Sequence, residues 1–195
     1  MPPSPGPTLS LAQHPEADAL LNANPLALLI AMLLDQQIPM ERAFLGPYVL
    51  AERLGGRLEA ADIADRDAEE FTELAARPPA IHRFPASMAT RIQALCRHLV
   101  ESYGGRAEAV WEDAADGAEL QRRLVALPGF GAQKAKIFAA LLGKQVGVRP
   151  PGWAKAAAPY TAEGQFQSVA DVVDAESIER VRAHKSAQKR AAKGR

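Results

Sequence analysis

The chain has 195 residues and a mass of 20.9 kDa, the size of one domain or of two small lobes sharing a cleft, which excludes long repeat arrays and large barrels. Hydrophobic residues make up 48% and charged residues 24%, so global disorder is excluded, and with one cysteine, Cys96, the chain alone builds neither an intramolecular disulfide nor a four-thiolate site. Lys plus Arg and Asp plus Glu both count 23, yet the charge is uneven. Basic against acidic residues run six to twelve over 1–90, five to six over 91–125 and twelve to five over 126–195. The basic last third points to a polyanion partner, although a solvated tail explains Arg180–Arg195 equally well.

Residues 1–8 are Pro-rich and read as a flexible lead, without the basic and apolar regions of a secretory signal. The longest apolar run, Leu26 to Leu34, is far short of the ~20 residues that span a bilayer. A cytoplasmic protein is therefore expected. Asn24-Pro25 sets a capping residue before a proline at the first helical position, and LALLIAMLL follows without a polar face, predicting a helix through the core centre that ends near Gln36-Gln37. Helical spacing recurs over 40–54 and 66–76, with Gly55-Gly56 and an acidic stretch between. IHRFPAS reads as a loop before the helix MATRIQALCRHLVESY, which Gly104-Gly105 stops. A helix over 117–126 leads into LPGFG and then AQKAKIFAALLGK. RPPGW is a turn, and a last helix starts near Asp174 and runs basic to the end. No alternating strand pair stands out, so the expected class is all-α.

Leu127-Pro128-Gly129-Phe130-Gly131 carries the most information. Two glycines around an apolar residue permit a tight turn between helices and bring bare N–H groups to the start of the next helix, where an anion such as phosphate fits. Lys134 and Lys136 add positive charge there. An ordinary Gly-containing turn has the same local pattern.

With its surroundings, the segment resembles the helix–hairpin–helix of the HhH-GPD superfamily of base-excision DNA glycosylases, the endonuclease III group. NPLALLIAMLLDQQ is similar to that family's early core helix, whose terminal glutamine enters the space left by a flipped nucleotide; Gln37 matches it. IHRFPASMATRIQALCRHLVESYGG resembles its wedge loop and long helix, with Phe84 and Pro85 at the wedge, and ALPGFGAQKAKIFAALLGKQ resembles its hairpin and following helix. The likeness covers roughly residues 24–150 in order. It implies a two-lobed helical fold over 9–178 with the helix–hairpin–helix at 117–143, a basic tail from 179 to 195, and a monomer acting on double-stranded DNA that carries a lesion or mismatch. It also implies DNA contacts from Gln37, Phe84, Pro85, Gly129, Phe130, Gly131, Gln133, Lys134 and Lys136, and a monovalent cation at the hairpin carbonyls.

The catalytic part departs from the family pattern. Where lyase-competent members have a lysine, this chain has Gln133, with Lys134 beside it, which favours hydrolysis by water over a Schiff-base amine. Where the family has its aspartate, ungapped counting arrives at Pro151, and no acid occurs between Glu119 and Glu163. The iron–sulfur cysteines are absent as well. Cleaving an N-glycosidic bond places positive charge on the sugar and negative charge on the base, so a carboxylate and opposing hydrogen-bond donors are the expected tools.

Asp35, two residues before Gln37, is the first candidate for that carboxylate and Glu41 the second; each also reads as a helix-end charge. Glu163, Asp171 and Asp174 qualify only if the loop after Trp153 folds back. Trp153 is a candidate for stacking on an extruded base, or a packed aromatic under a loop. The expected function is monofunctional removal of a damaged or mispaired base, without an iron–sulfur cofactor; the alternative is a protein of the same fold that binds distorted DNA without cutting it. His82 and His98 lack partners at ligand spacing and read as ordinary histidines, and Cys96 as a small buried hydrophobe.

Overall fold

The computed structural model describes residues 9–194. The Pro-rich lead at 1–8 lies outside them. Ten α-helices form, with no strand among the described residues: α1 Pro15–Ala23, α2 Pro25–Leu34, α3 Met40–Arg53, α4 Ala60–Asp65, α5 Ala68–Ala76, α6 Pro85–Tyr103, α7 Gly117–Val125, α8 Ala132–Leu141, α9 Trp153–Ala156 and α10 Ala175–Lys193. Among the described residues, no single helix is long and apolar enough to cross a membrane.

Helix α2 organises the rest. Asn24 Oδ1 accepts from the N–H groups of Leu26 and Ala27, Pro25 occupies the first turn, and every residue from Leu26 to Leu34 is buried. An all-apolar helix loses about 2 kcal/mol for each large side chain left in water, so it must be enclosed on every side. Helices α1 and α3 pack on it, and the short 3₁₀ turn Ala107–Val110 closes it from beyond α6. Helices α4 and α5 pack on α6, anchored by buried Gln93, whose Nε2 donates to the carbonyls of Ile63 and Arg66. Helices α7 and α8 form the hairpin pair, with α9 against both.

Several boundaries differ from the sequence expectation for identifiable reasons. Helix α2 stops at Leu34 rather than near Gln36-Gln37, because Gln37 adopts φ 59° and the last α2 carbonyls are taken by a side chain from α8. The expected loop 81–87 ends early: Pro85 already occupies the first turn of α6. The segments 40–54 and 66–76 are helical at 40–53 and 68–76, the latter opened by Asp67 accepting from the N–H groups of Glu69 and Glu70. Helices α1 and α4 lie where no separate helix was expected. Helix α8 continues through a π-helical turn, Leu142–Val146, to Gly147 at φ 87°. The last helix forms where it was expected: Asp174 caps α10 by accepting from Ser177 N–H, and the basic segment from 179 makes up its later turns.

Candidate nucleic-acid site at the end of α2

The C-terminal end of α2, the hairpin, the start of α6, the first turn of α3 and the middle of α10 converge. The hairpin sits directly on α2. Gly129, at φ 84°, lies so close that a Cβ there would stand 3.1 Å from Leu33 Cδ1, so both its backbone angle and its neighbour call for glycine. Helix α8 starts at Gly131 with no side-chain cap, leaving first-turn N–H groups facing outward at the positive end of the helix dipole. Phe130, expected at the DNA interface, is 4% exposed and meets Phe138 edge to face. Its ring belongs to the core, so only its backbone is available to a ligand.

From the first turn of α8, Lys134 reaches back to α2. Its Nζ donates to the carbonyls of Met32 at 2.7 Å and Leu33 at 3.1 Å, beside the bonds these oxygens accept from Asp35 N–H and Gln36 Nε2. Burial lowers its pKa to about 8, against the opposing pull of Asp35. Neighbouring Gln133 is exposed and donates to the Tyr160 hydroxyl at 2.9 Å. Lys136 is partly buried and makes no hydrogen bond or ion pair among the described residues.

Asp35 is the C-cap residue of α2 and partly buried. Desolvation raises its pKa above the usual carboxylate range; Lys185 and Lys134 act to lower it, and Glu41 adds to the rise. Glu41 binds Arg182 of α10 through Oε1, while its Oε2 is buried without a partner. Two carboxylates and three cations from four helices thus share one locality.

On the other side stands the α6 loop. His82 is 1% exposed; Nδ1 accepts from Phe84 N–H at 3.0 Å, which makes Nε2 the protonated nitrogen that donates to the Gln36 carbonyl at 2.8 Å. Gln36 is held further by Arg91, whose Nη1 donates to Oε1 at 3.2 Å, and Gln37 projects from the left-handed turn beside it, exposed. Phe84 is 46% exposed with the Arg83 guanidinium 4.9 Å over its ring. Phe84 is the exposed apolar tip of this loop, backed by partly buried Pro85 and the buried histidine.

The loop after α8 takes another course. Pro151, at the counted position of the family aspartate, accepts from Gly117 N–H at the N-terminus of α7, the end of that helix away from the hairpin. Asp171 pairs with Lys144 at 2.5 Å and accepts from the N–H groups of Gln167 and Ser168, Asp174 caps α10, and Glu163 is exposed beside the Lys144–Asp171 pair. Asp171 and Asp174 are occupied locally, and Glu163 makes no hydrogen bond or ion pair among the described residues. Trp153 donates its indole N–H to the Ala139 carbonyl at 2.6 Å, and its ring covers Gly143 with Arg149 over it at 5.2 Å, the packed alternative of its two readings. His82, Arg91, Arg182 and Lys185 carry no motif; their place in the site comes from tertiary packing alone.

An all-helical fold with a glycine hairpin set against a buried helix, beside an exposed wedge and a basic helix, defines a nucleic-acid-binding class. A family model for HhH-GPD superfamily base excision DNA repair proteins matches residues 30–194, and the chain belongs to that superfamily. The match reaches through α10. A search of curated proteins found no match to this chain.

Proposed function

We propose that the protein is a monofunctional DNA glycosylase that hydrolyses the N-glycosidic bond of a damaged or mispaired base flipped out of a duplex. The observation that carries this reading is the position of Asp35: a carboxylate at the end of the buried helix, between the hairpin and the wedge loop and beside Lys134 and Lys185. In its ionised form it orients a water toward the sugar C1′ and stabilises the positive charge that develops there. The water oxygen forms the new bond to C1′, the base departs with the electrons of the broken C1′–N bond, and the base takes up a proton. The α8 amides, with Gln133 and Lys136, hold a backbone phosphate, and Lys134 keeps the hairpin fixed to α2 while Glu41 tunes Asp35. Gln37 and Phe84 occupy the space left by the extruded nucleotide. The Gly129 and Phe130 carbonyls accept no hydrogen bond among the described residues, and carbonyl oxygens of this kind suit a monovalent cation.

Pro151 and the local commitment of Asp171 and Asp174 favour a second reading, a protein that binds distorted DNA without cutting it. A panel of duplexes carrying uracil, hypoxanthine, alkylpurine, 8-oxoguanine or mismatched thymine, followed by alkali cleavage, separates the two. Strand breaks in any duplex, lost in Asp35→Asn with binding retained, support the glycosylase. Tight binding with no cleavage of any duplex establishes the second reading, and full turnover by Asp35→Asn removes Asp35 from the mechanism.

A further inference from the structure

Helix α10 changes character along one face. Ile178, Arg182, Lys185, Lys189 and Lys193 follow one another at steps of four, three, four and four residues, so they lie on a single stripe. At its start the stripe is apolar: Ile178 is buried, as is Val181 next to it. At Arg182 it becomes cationic: Arg182 pairs with Glu41, and Lys185 follows on the same stripe. Beyond them Lys189 and Lys193 continue in the same direction, exposed and without an ion pair among the described residues. No acidic residue follows Glu179. From Val181 to Lys193 the helix runs on for roughly 18 Å at ~1.5 Å per residue.

A helix face that packs on the body in its first turns and then presents lysine at each further turn is complementary to an extended polyanion, not to solvent alone. The lysines recur about every 6 Å along the axis, near the ~6.8 Å rise of two nucleotides on one duplex strand. The N-terminal half of the chain, acidic by twelve residues to six over 1–90, repels the same ligand and leaves α10 and the hairpin as the attractive surfaces. We propose that α10 is a second DNA-backbone contact, a basic arm that takes duplex phosphates on Lys189 and Lys193 while Arg182 anchors it at Glu41. This rests on the reading of duplex DNA as the partner.

The test is the salt dependence of duplex binding by the full chain, wild type against Lys189→Gln/Lys193→Gln, with Lys155→Gln as a control on the exposed surface of α9. Both α10 side chains are exposed, so the double variant keeps the fold, which an unchanged circular dichroism spectrum verifies. The expected result is a slope of log affinity against log salt shallower by about 2, at near 0.9 for each phosphate left without its lysine, with the control unchanged. A double variant that binds with the wild-type slope overturns the α10 contact while leaving DNA as the partner, and so does an equal drop in Lys155→Gln. A wild-type chain that binds no duplex removes the DNA reading and this inference together; binding to vesicles rich in phosphatidylserine but not to duplex assigns α10 to a membrane surface and overturns it also.

Discussion

The Lys134 ammonium stands 2.7 Å from the Met32 carbonyl oxygen, a hydrogen bond between residues 102 apart in sequence. It fixes the hairpin to the end of α2 and thereby sets the spacing between the first-turn amides of α8 and Asp35. The tie has a cost, because it places a charge in a poorly solvated position and lowers its pKa to about 8.

That cost makes stability depend on pH. An unfolded lysine titrates near 10.4, so between pH 8 and that value the unfolded chain binds more protons than the folded one, and stability rises with pH across this window. Lys134→Met abolishes the rise attributable to this residue. It also removes one of the two hydrogen bonds that each of the Met32 and Leu33 carbonyls accepts, for a net loss on the order of 1 kcal/mol at pH 7. Denaturant titrations at pH 7 and 9.5 for both proteins check this; a variant with the wild-type pH slope refutes it.

The raised pKa of Asp35 has the opposite sign. Between the ordinary carboxylate value of about 3.9 and its folded value, the native state holds the extra proton, so stability falls as pH rises through the window and the penalty is fully present above it. Asp35→Asn therefore melts at or above the wild-type temperature at pH 7, and the difference closes toward acid pH. In the proposed hydrolysis, which needs the ionised form, turnover is expected to have its acid limb above the usual carboxylate range and to drop by about 10²-fold or more in the variant. Loss of activity accompanied by a lower melting temperature at pH 7 would contradict both statements.

His82 holds the wedge only while neutral. Burial lowers its pKa below 6.5, the leading effect over the Gln36 hydrogen bond that raises it. The unfolded chain binds the proton first as pH falls below 6.5, so stability is lost on acidification through that window. A proton on Nδ1 would face the Phe84 N–H, donor against donor. His82→Phe preserves bulk but strands the Phe84 N–H and the Gln36 carbonyl, costing about 1–3 kcal/mol and removing this acid sensitivity. Chemical denaturation from pH 5 to 7.5 measures both effects, and an unaltered profile would show that the brace does not carry them.

Gly143 is required by Trp153. A Cβ at Gly143 would stand 2.1 Å from two carbons of the indole, and the ring is held by its N–H bond to Ala139 and by Arg149. Gly143→Ala should destabilise by about 2 kcal/mol. Adding Trp153→Leu should relieve the clash, making the double variant more stable than the sum of the single changes predicts. Strict additivity in thermal unfolding would place the strain elsewhere.

The local signals were readable in the sequence, and the tertiary ones were not. Asn24-Pro25, Asp174 and the glycines of the hairpin act through neighbours a few residues away, so their chemistry announces helix ends and the turn. The family pattern likewise reads from local segments. The early stop of α2 depends on Lys134, about a hundred residues on, and the Arg182–Glu41 pair spans 141, distances over which periodicity carries no information. Ungapped counting to Pro151 also could not anticipate that its segment docks on the start of α7.

Helix α2 is apolar on every side and enclosed by α1, α3, α6 and the hairpin. Parting these elements would wet that helix, at about 2 kcal/mol for each large side chain exposed, so the packing around α2 opposes such an opening of the protein. A duplex seated against it must then supply the bending itself, and soft or mispaired steps, which kink with less work, would be admitted ahead of well-stacked ones before any side chain reads a base.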